Sequence, residues 1–215
     1  MNRYRTIRET DDSVETLYEI QKSRFITHIR HVETEEEARS FIQAMKKQYF
    51  DARHNCSAYV LGERADKQKS NDDGEPGGTA GNPILEAIKK NELTDVVIVV
   101  TRYFGGIKLG AGGLVRAYTD AVTQAVEAAG TRTVHLSTLL RIDADFASAG
   151  QVEDQLRGLT LPSGAPVTVD SVDWTDRAHI SVAVPAASVD ELRVALATLS
   201  AGALTAEETG SRWVG

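Results

Sequence analysis

The segment from Val96 to Ala117 constrains the fold more than any other part of the sequence, because it joins three kinds of structure in a fixed order. Five consecutive aliphatic residues, Val96–Val100, predict a buried strand. A glycine-rich loop follows, and a helical pattern begins near Leu114 and ends at Gly130. This arrangement favours anion binding, because backbone N–H groups and the helix dipole can point at one ligand. The alternative interpretation is that the glycines only let the strand and the helix pack closely.

Basic side chains accompany this loop, and no acidic residue lies between Asp95 and Asp120, although the 215-residue chain has a net charge of −7. The loop matches neither the P-loop pattern nor the complete dinucleotide fingerprint, so it indicates an anion without naming a nucleotide. Tyr103 can stack on RNA bases or fill the core, and Lys22 and Arg24 can join the patch or lie along a strand edge. We therefore predict an anion- or RNA-binding site from Lys22, Arg24, Thr79, Arg102, Tyr103, Gly105, Gly106, Lys108, Gly110, Gly112, Gly113 and Arg116.

A second set of polar residues precedes the predicted strand. Asp72, Asp73 and Glu75 place three carboxylates close together, which suits a Mg²⁺ ion shared with a substrate phosphate; the alternative is an ordinary turn at the following glycine. The glycine-rich residues 76–81 lead into a helix for which we expect Asn82 as the N-cap and Pro83 as the first residue, and they can form a second wall of the anion site. Apart from this magnesium, the sequence predicts no cofactor.

The single cysteine offers a nucleophile, but the sequence argues against that role. His54 and Cys56 are two residues apart on a predicted strand, whereas a nucleophile and its base usually come from separate elements. A half-buried cysteine more often acts as a small hydrophobic residue. We therefore predict no catalytic residue, and the sequence favours a protein that is not an enzyme.

Composition limits the location and the partners of the protein. The sequence contains no run of 18 apolar residues and no secretory signal, so we expect a cytoplasmic protein without a membrane partner. All eight lysines lie at or before Lys108, and residues 135–215 hold five basic and eleven acidic residues. Any RNA binding must therefore come from a local patch on the first part of the chain. The acidic part is either a solvated surface or a contact for a basic protein.

Periodicity divides the chain near residue 134. The first part alternates strands and helices, with strands at 16–20, 24–32, 54–61 and 96–100, a helix after Thr34, and a long loop over 63–78. The second part has the order βαββαβ, which is the ferredoxin-like pattern, and we expect Trp174 and Trp213 to pack inside it. The sequence thus predicts an α+β protein with two domains, 1–134 and 135–215.

Four motifs in order give the chain a family resemblance. The sequence TRYFGGIKLGAGGLVRAY at Thr101–Tyr118 resembles the signature of the IMPACT/YigZ family. KSRF at Lys22–Phe25, DARHNCSAYVLG at Asp51–Gly62 and NDDGEPGGTAGNPIL at Asn71–Leu85 resemble its other motifs. The resemblance covers about residues 15–130, and the chain is identified as a bacterial-type, two-domain member.

The resemblance implies both a fold and a function. It implies a first domain like that of a small-subunit ribosomal protein and of domain IV of elongation factor G, and a ferredoxin-like second domain. Eukaryotic relatives look like regulators of translation initiation that work through protein partners. We therefore expect a non-enzymatic anion- or RNA-binding protein associated with translation, with RNA, the ribosome or a translation-related protein as partner. The alternatives are a metal-assisted hydrolase or other enzyme acting on a phosphorylated or acidic small substrate, and a protein–protein adaptor.

Overall fold

The computed structural model describes residues 2–8 and 12–215, and the chain divides into two compact units, Arg3–Thr133 and Val134–Gly215. Each unit combines α-helices with an antiparallel sheet, so the predicted mixture of helices and strands is confirmed. Within the described residues, no helix combines the length and the apolarity needed to cross a membrane.

The first unit is built on one antiparallel sheet. The sheet has the strand order β2-β3-β6-β4-β5, with β6 in the centre. The strands of this unit are β1 (Arg3–Ile7), β2 (Val14–Ile20), β3 (Ser23–His31), β4 (His54–Leu61), β5 (Lys67–Asn71) and β6 (Val96–Tyr103). Its helices are α1 (Glu35–Gln48), α2 (Gly81–Lys90) and α3 (Gly110–Ala129).

Alternation along β6 separates two cores on opposite faces of this sheet. Val96, Ile98 and Val100 lie in the larger core, which includes residues of α2 and α3. Val97 and Val99 lie in a smaller core with residues of α1. Successive side chains of a strand point to opposite faces, so a strand buried on both sides is apolar throughout. The aliphatic run 96–100 therefore marks the centre of a three-layer unit.

Three local expectations from the sequence are wrong, and one strand was not predicted. The long loop over 63–78 contains β5, an edge strand whose residues KQKSN show no apolar alternation because most of them are exposed. Helix α2 begins at Gly81 rather than at Pro83, and α3 begins at Gly110 rather than near Leu114, so four of the predicted loop residues form its first turn. The sequence analysis also missed β1, whose Ile7 is buried in the larger core.

The second unit has the predicted order βαββαβ. Its elements are β7 (Thr131–Ala144), α4 (Phe146–Arg157), β8 (Thr168–Trp174), β9 (Ala178–Pro185), α5 (Val189–Leu199) and β10 (Ala206–Val214), with a single 3₁₀ turn before α5. Strand β7 pairs with β10 and with β9, and β9 pairs with β8. Apolar residues of both helices form one core with the sheet. Trp174 was expected in this core, but 56% of its surface is exposed.

Candidate functional site

A cavity of about 310 Å³ lies in the first unit where β6 ends and α3 begins. Four segments of the chain line it: the start of β4, the acidic loop, the end of β6, and the first turn of α3 with the residues before it. The lining residues are Arg53, His54, Glu75, Pro76, Arg102, Phe104, Lys108, Leu109, Gly110, Ala111 and Leu114.

The strand register explains which side chains reach this cavity. Arg102 follows Val96, Ile98 and Val100 in the alternation of β6, so it points toward the face of the sheet that α2 and α3 cover. His54 is the cross-strand partner of Arg102 and points to the same face. The end of β6 thereby delivers a guanidinium group beneath the first turn of α3.

Arg102 is held by a buried polar network. Its Nη1 donates to Glu75 Oε1 at 2.7 Å, and the hydroxyl of Tyr118 donates to the same oxygen at 2.9 Å. Arg102 is only 7% exposed and Glu75 equally buried, so this carboxylate compensates the guanidinium inside the protein. Nε of Arg102 is buried and has no hydrogen-bond partner among the described residues. The predicted anion-binding arginine is therefore also a structural residue.

Two other cations of the cavity are free to bind a ligand. Arg53 and Lys108 are exposed, and neither makes a salt bridge with a described residue. They lie beside the N-terminus of α3, whose N-cap Leu109 provides no side-chain hydrogen bond and whose first turn carries no acidic residue. The first N–H groups of a helix have no partner within the helix, and together they attract an anion. This end of α3 contrasts with α1, where Thr34 and Glu37 form a capping box.

Several residues of the predicted site lie elsewhere in the first unit. Tyr103 points to the opposite face of the sheet from Arg102, donates to Asp51 at 2.7 Å, and contacts the guanidinium of Arg24. Lys22 lies in the turn between β2 and β3. Arg116 is exposed on α3 and does not line the cavity. The structure therefore brings together Arg102, Lys108 and Gly110, but not these other residues.

The glycines of the loop serve different purposes. A Cβ on Gly105 would lie 2.0 Å from the carbonyl carbon of Lys22, so this glycine permits close packing against the turn between β2 and β3. Gly106 and Gly110 have φ angles of +88° and +70°, which other residues rarely adopt. Gly112 faces open space, and a Cβ on Gly113 would lie 3.0 Å from Cβ of Leu109. Close packing, the alternative interpretation, thus accounts for Gly105 but not for Gly112.

The acidic loop is organised by its own carboxylates. Asp72 accepts hydrogen bonds from the backbone N–H groups of Gly78, Ala80 and Gly81 at 2.8–3.1 Å. Burial opposes ionisation of Asp72, but these three donors prevail and lower its pKa. The N-terminus of α2 is thus already occupied by an internal anion.

The other polar residues of this loop also contact protein groups. Asp73 accepts from Lys46 Nζ at 2.5 Å and from the Asn55 N–H at 2.7 Å, and the Thr79 hydroxyl donates to the Pro76 carbonyl. Among residues 2–8 and 12–215, no three His, Cys, Asp or Glu residues form a group that could hold a metal ion. The magnesium role of Asp72, Asp73 and Glu75 stays a prediction, and the contacts of these residues give it no support.

Cys56 is buried beneath the same loop. Its thiol donates to the carbonyl oxygen of Asp72 at 3.0 Å and contacts the hydroxyl of Tyr118 at 3.2 Å. Burial raises the pKa of the Cys56 thiol to about 12, so the thiolate is not formed at neutral pH. His54 is hydrogen-bonded through Nδ1 to the backbone oxygen of Asp73 instead. The contacts therefore agree with the inert cysteine that the sequence predicts.

The sequence analysis missed Arg53 and His54 as residues of this cavity. Arg53 immediately precedes β4, and His54 is the first residue of that strand. The pairing of His54 with Arg102 brings both residues to the end of β6. The signal was present in the motif at Asp51–Gly62, which joins an arginine to the start of a strand. The pairing partner of that strand, however, is a tertiary property.

Comparison with known proteins places the chain in a family. The Impact N-terminal domain family matches residues 21–126, a range that contains the whole cavity. The chain is 54% identical over 138 residues to "IMPACT family member YvyE" of Bacillus subtilis. This match covers 64% of this chain and 64% of YvyE, slightly less than two thirds of that relative's length. It is 37% identical over 194 residues to "IMPACT family member YigZ" of Escherichia coli, covering 89% of this chain and 92% of YigZ.

A solved structure extends the similarity to both units. A crystal structure described as that of a hypothetical protein is 33% identical, with a TM-score of 0.60, and the match covers 96% of this chain and 97% of the other. The four motifs, the domain match and the long alignment with YigZ agree with one another. On this evidence, the chain belongs to the IMPACT family.

Proposed function

We propose that the protein binds phosphate groups of RNA at this cavity and takes part in translation or its regulation as a binding protein rather than an enzyme. The observation that carries the proposal is the uncapped N-terminus of α3, which lies beside Arg53 and Lys108 in a cavity. Both side chains are exposed and free of salt bridges with the described residues, so they can contact phosphate without breaking an internal pair.

Family membership supports the connection to translation. The resemblance implies that eukaryotic relatives regulate translation initiation, and the matched domain contains the proposed binding cavity. We also propose the domain types that the resemblance implies, including a ferredoxin-like second unit. The strand order β10-β7-β9-β8 supports that assignment.

Titration of the full chain with short single-stranded RNA and with ribosomes, at several salt concentrations, tests RNA binding. Roughly three cationic contacts with a single strand give a slope of about −2 for log K against log salt. Lys108→Ala and Arg53→Ala should each weaken binding by about tenfold or more, because a charge-assisted hydrogen bond is lost. Lys90→Ala removes an equally exposed lysine from the last turn of α2 and is the matched control.

The same titration distinguishes the cavity from the wider basic loop. Arg116→Ala should weaken binding less than Lys108→Ala, because Arg116 does not line the cavity. An equal loss from Arg116→Ala, Lys108→Ala and Lys90→Ala would mean that only bulk charge matters. Absence of binding at low salt would refute the proposed RNA function.

A second function, protein–protein adaptor, is favoured by an exposed aromatic pair on the second unit. Phe146 is 55% exposed, and its ring stacks on Trp174 with a centroid distance of 5.9 Å and an interplanar angle of 17°. Residues 135–215 carry eleven acidic and five basic residues, which suits a basic partner. In this case Trp174→Ala should reduce cosedimentation with ribosomes while short RNA binds as before; unchanged cosedimentation would argue against the adaptor.

A further inference from the structure

We propose that the cavity at the start of α3 binds a terminal phosphate monoester together with its nucleoside. The ligand is then the phosphorylated end of single-stranded RNA or a free mononucleotide, rather than the interior of an RNA strand. This inference rests on the proposed function and specifies which part of a nucleic acid the cavity recognises.

The charge of the cavity wall matches a dianion. Arg53, Arg102 and Lys108 contribute three positive charges, and Glu75 contributes one negative charge, which leaves two positive charges. A phosphate monoester carries between about −1.5 and −2 near neutral pH, whereas a phosphodiester of the RNA backbone carries one negative charge. A terminal phosphate therefore compensates this wall more completely than an internal one.

The donors of the cavity include a buried group without a partner. The Arg102 side chain is 8% exposed, and Nε has no hydrogen-bond partner among the described residues, although Nη1 is bound to Glu75. Native proteins rarely leave a buried donor unpaired, so this nitrogen calls for a partner that the described residues do not supply, such as an ordered water or a ligand. This observation is independent of the uncapped end of α3, and both features belong to the same cavity.

Phe104 provides a surface for the base. Its side chain lines the cavity, and 52% of the residue is exposed, so the ring is accessible to a ligand. The guanidinium of Arg102 lies 5.7 Å from the centroid of its ring. Exposed aromatic rings beside cationic groups stack the bases of single strands. A nucleoside stacked on Phe104 would place its phosphate near Lys108 and the first turn of α3.

The volume of the cavity limits the length of the ligand. About 310 Å³ is at the lower end of the range for small-ligand sites, which begins near 300 Å³. A cavity of this size holds one phosphate with one nucleoside, and further nucleotides would lie outside it. The site should therefore recognise an end of RNA without requiring a sequence.

Fluorescence anisotropy with the full chain tests this inference. The probes are one eight-nucleotide RNA sequence in three forms, with a 5′-phosphate, with a 3′-phosphate, and with hydroxyl groups at both ends. Adenosine monophosphate and adenosine are added as unlabelled competitors of the RNA probe, to test whether the cavity binds a free mononucleotide. We expect at least one phosphorylated RNA to bind about tenfold more tightly than the hydroxyl form. We also expect adenosine monophosphate, but not adenosine, to displace it.

Variants locate the effect in the cavity. Lys108→Ala should remove the preference for the phosphorylated end, Phe104→Ala should weaken all nucleoside-bearing probes, and Lys90→Ala should keep the wild-type preference. A melting curve of each variant confirms that it is folded, since both Lys108 and Phe104 are exposed. A preference that survives in Lys108→Ala would place the phosphate elsewhere and overturn the inference.

The outcomes separate this inference from the proposed function. Equal, salt-sensitive affinity for all three RNAs would overturn recognition of a terminal phosphate and leave RNA binding intact. Direct binding of adenosine monophosphate, measured by isothermal titration calorimetry, without binding of any RNA would assign the cavity to a free nucleotide, which supports the inference and refutes RNA as the ligand. No binding of any probe would refute both.

Discussion

Arg102 illustrates how one residue can serve both the fold and the site. The buried carboxylate of Glu75, 27 residues away in the sequence, accepts its hydrogen bond, and Phe25 packs against its guanidinium at 5.5 Å. The sequence places Arg102 in the predicted anion-binding site and does not indicate this internal pair. Its removal instead leaves Glu75 buried with a hydroxyl group as its remaining partner. Stability and ligand binding are therefore coupled at this position.

We predict that Arg102→Ala lowers the free energy of unfolding by about 3–5 kcal/mol, because it leaves a buried charge uncompensated. Denaturant unfolding of the full chain measures this loss. Adding Glu75→Gln should restore part of it, since the amide is uncharged and its oxygen still accepts from Tyr118. Lys90→Ala, an exposed control, should stay within about 0.5 kcal/mol of the wild type. If Arg102→Ala unfolds with the same midpoint denaturant concentration as the wild type, a structural role of Arg102 is contradicted.

At the scale of elements, two glycines between the end of β6 and the first turn of α3 have different surroundings. One is tightly packed, and the other faces open space. Gly105 must lack a side chain because the backbone of Lys22 and Ser23 lies where a Cβ would be. Gly112 has open space in front of it, inside the first turn of α3. One glycine holds the loop against a neighbouring turn, and the other leaves the helix end accessible.

We predict that Gly105→Ala destabilises the protein by about 1–3 kcal/mol, because the turn between β2 and β3 must move. Gly112→Ala should leave stability unchanged or raise it by less than about 1 kcal/mol, since alanine favours the helical conformation. Thermal unfolding of the two variants side by side measures the contrast. Similar melting temperatures for both would show that the close approach at Gly105 does not constrain the loop.

At the scale of the whole molecule, one histidine in each unit contributes to the pH dependence of stability, and the two contributions have opposite signs. Burial lowers the pKa of His28 in the first unit, although Glu15 and Asp12 act against it. In the second unit, the hydrogen bond that His179 Nδ1 donates to the Asp143 carboxylate, at 2.7 Å, raises the pKa of His179. His28 therefore prefers the neutral form in the folded protein, and His179 prefers the charged form.

The sign of each effect follows from linkage. Below pH 6.5 the unfolded chain protonates His28 more readily than the folded chain does, so stability falls as pH decreases toward the lowered pKa. The contribution of His179 is fully present below its unfolded pKa of 6.5 and is lost as pH rises through its raised folded pKa.

We predict that His28→Gln reduces the loss of stability below pH 6.5, because the residue no longer titrates while its amide can still contact the Tyr49 hydroxyl. His179→Gln should cost more stability at pH 5.5 than at pH 8.5. Unfolding curves of both variants between pH 5 and 9 test the two signs together. Parallel pH profiles for wild type and variants would show that neither histidine is coupled to folding.

The sequence predicts much of the fold because local patterns carry most of that information. The aliphatic run 96–100 indicates a buried strand, and Thr34 with the acidic residues after it indicates the start of α1. Strand β5 escapes prediction, because a polar edge strand is defined by its pairing with β4 rather than by periodicity. The start of α3 also escapes prediction. Its first four residues are three glycines and one alanine, and a glycine-rich stretch is more typical of a loop than of a helix.

For this protein, the sequence by itself determined the family, the two-part organisation of the elements and the region of the proposed anion site, since motifs and periodicity are local along the chain. Only the tertiary structure decided which basic residues share one cavity. Alternation along β6 sends Arg102 and Tyr103 to opposite faces, while the pairing of β4 with β6 brings Arg53 and His54 to Lys108. Burial and pairing depend on strands distant in sequence, so no local pattern distinguishes the internally paired Arg102 from Lys108, which makes no salt bridge with a described residue.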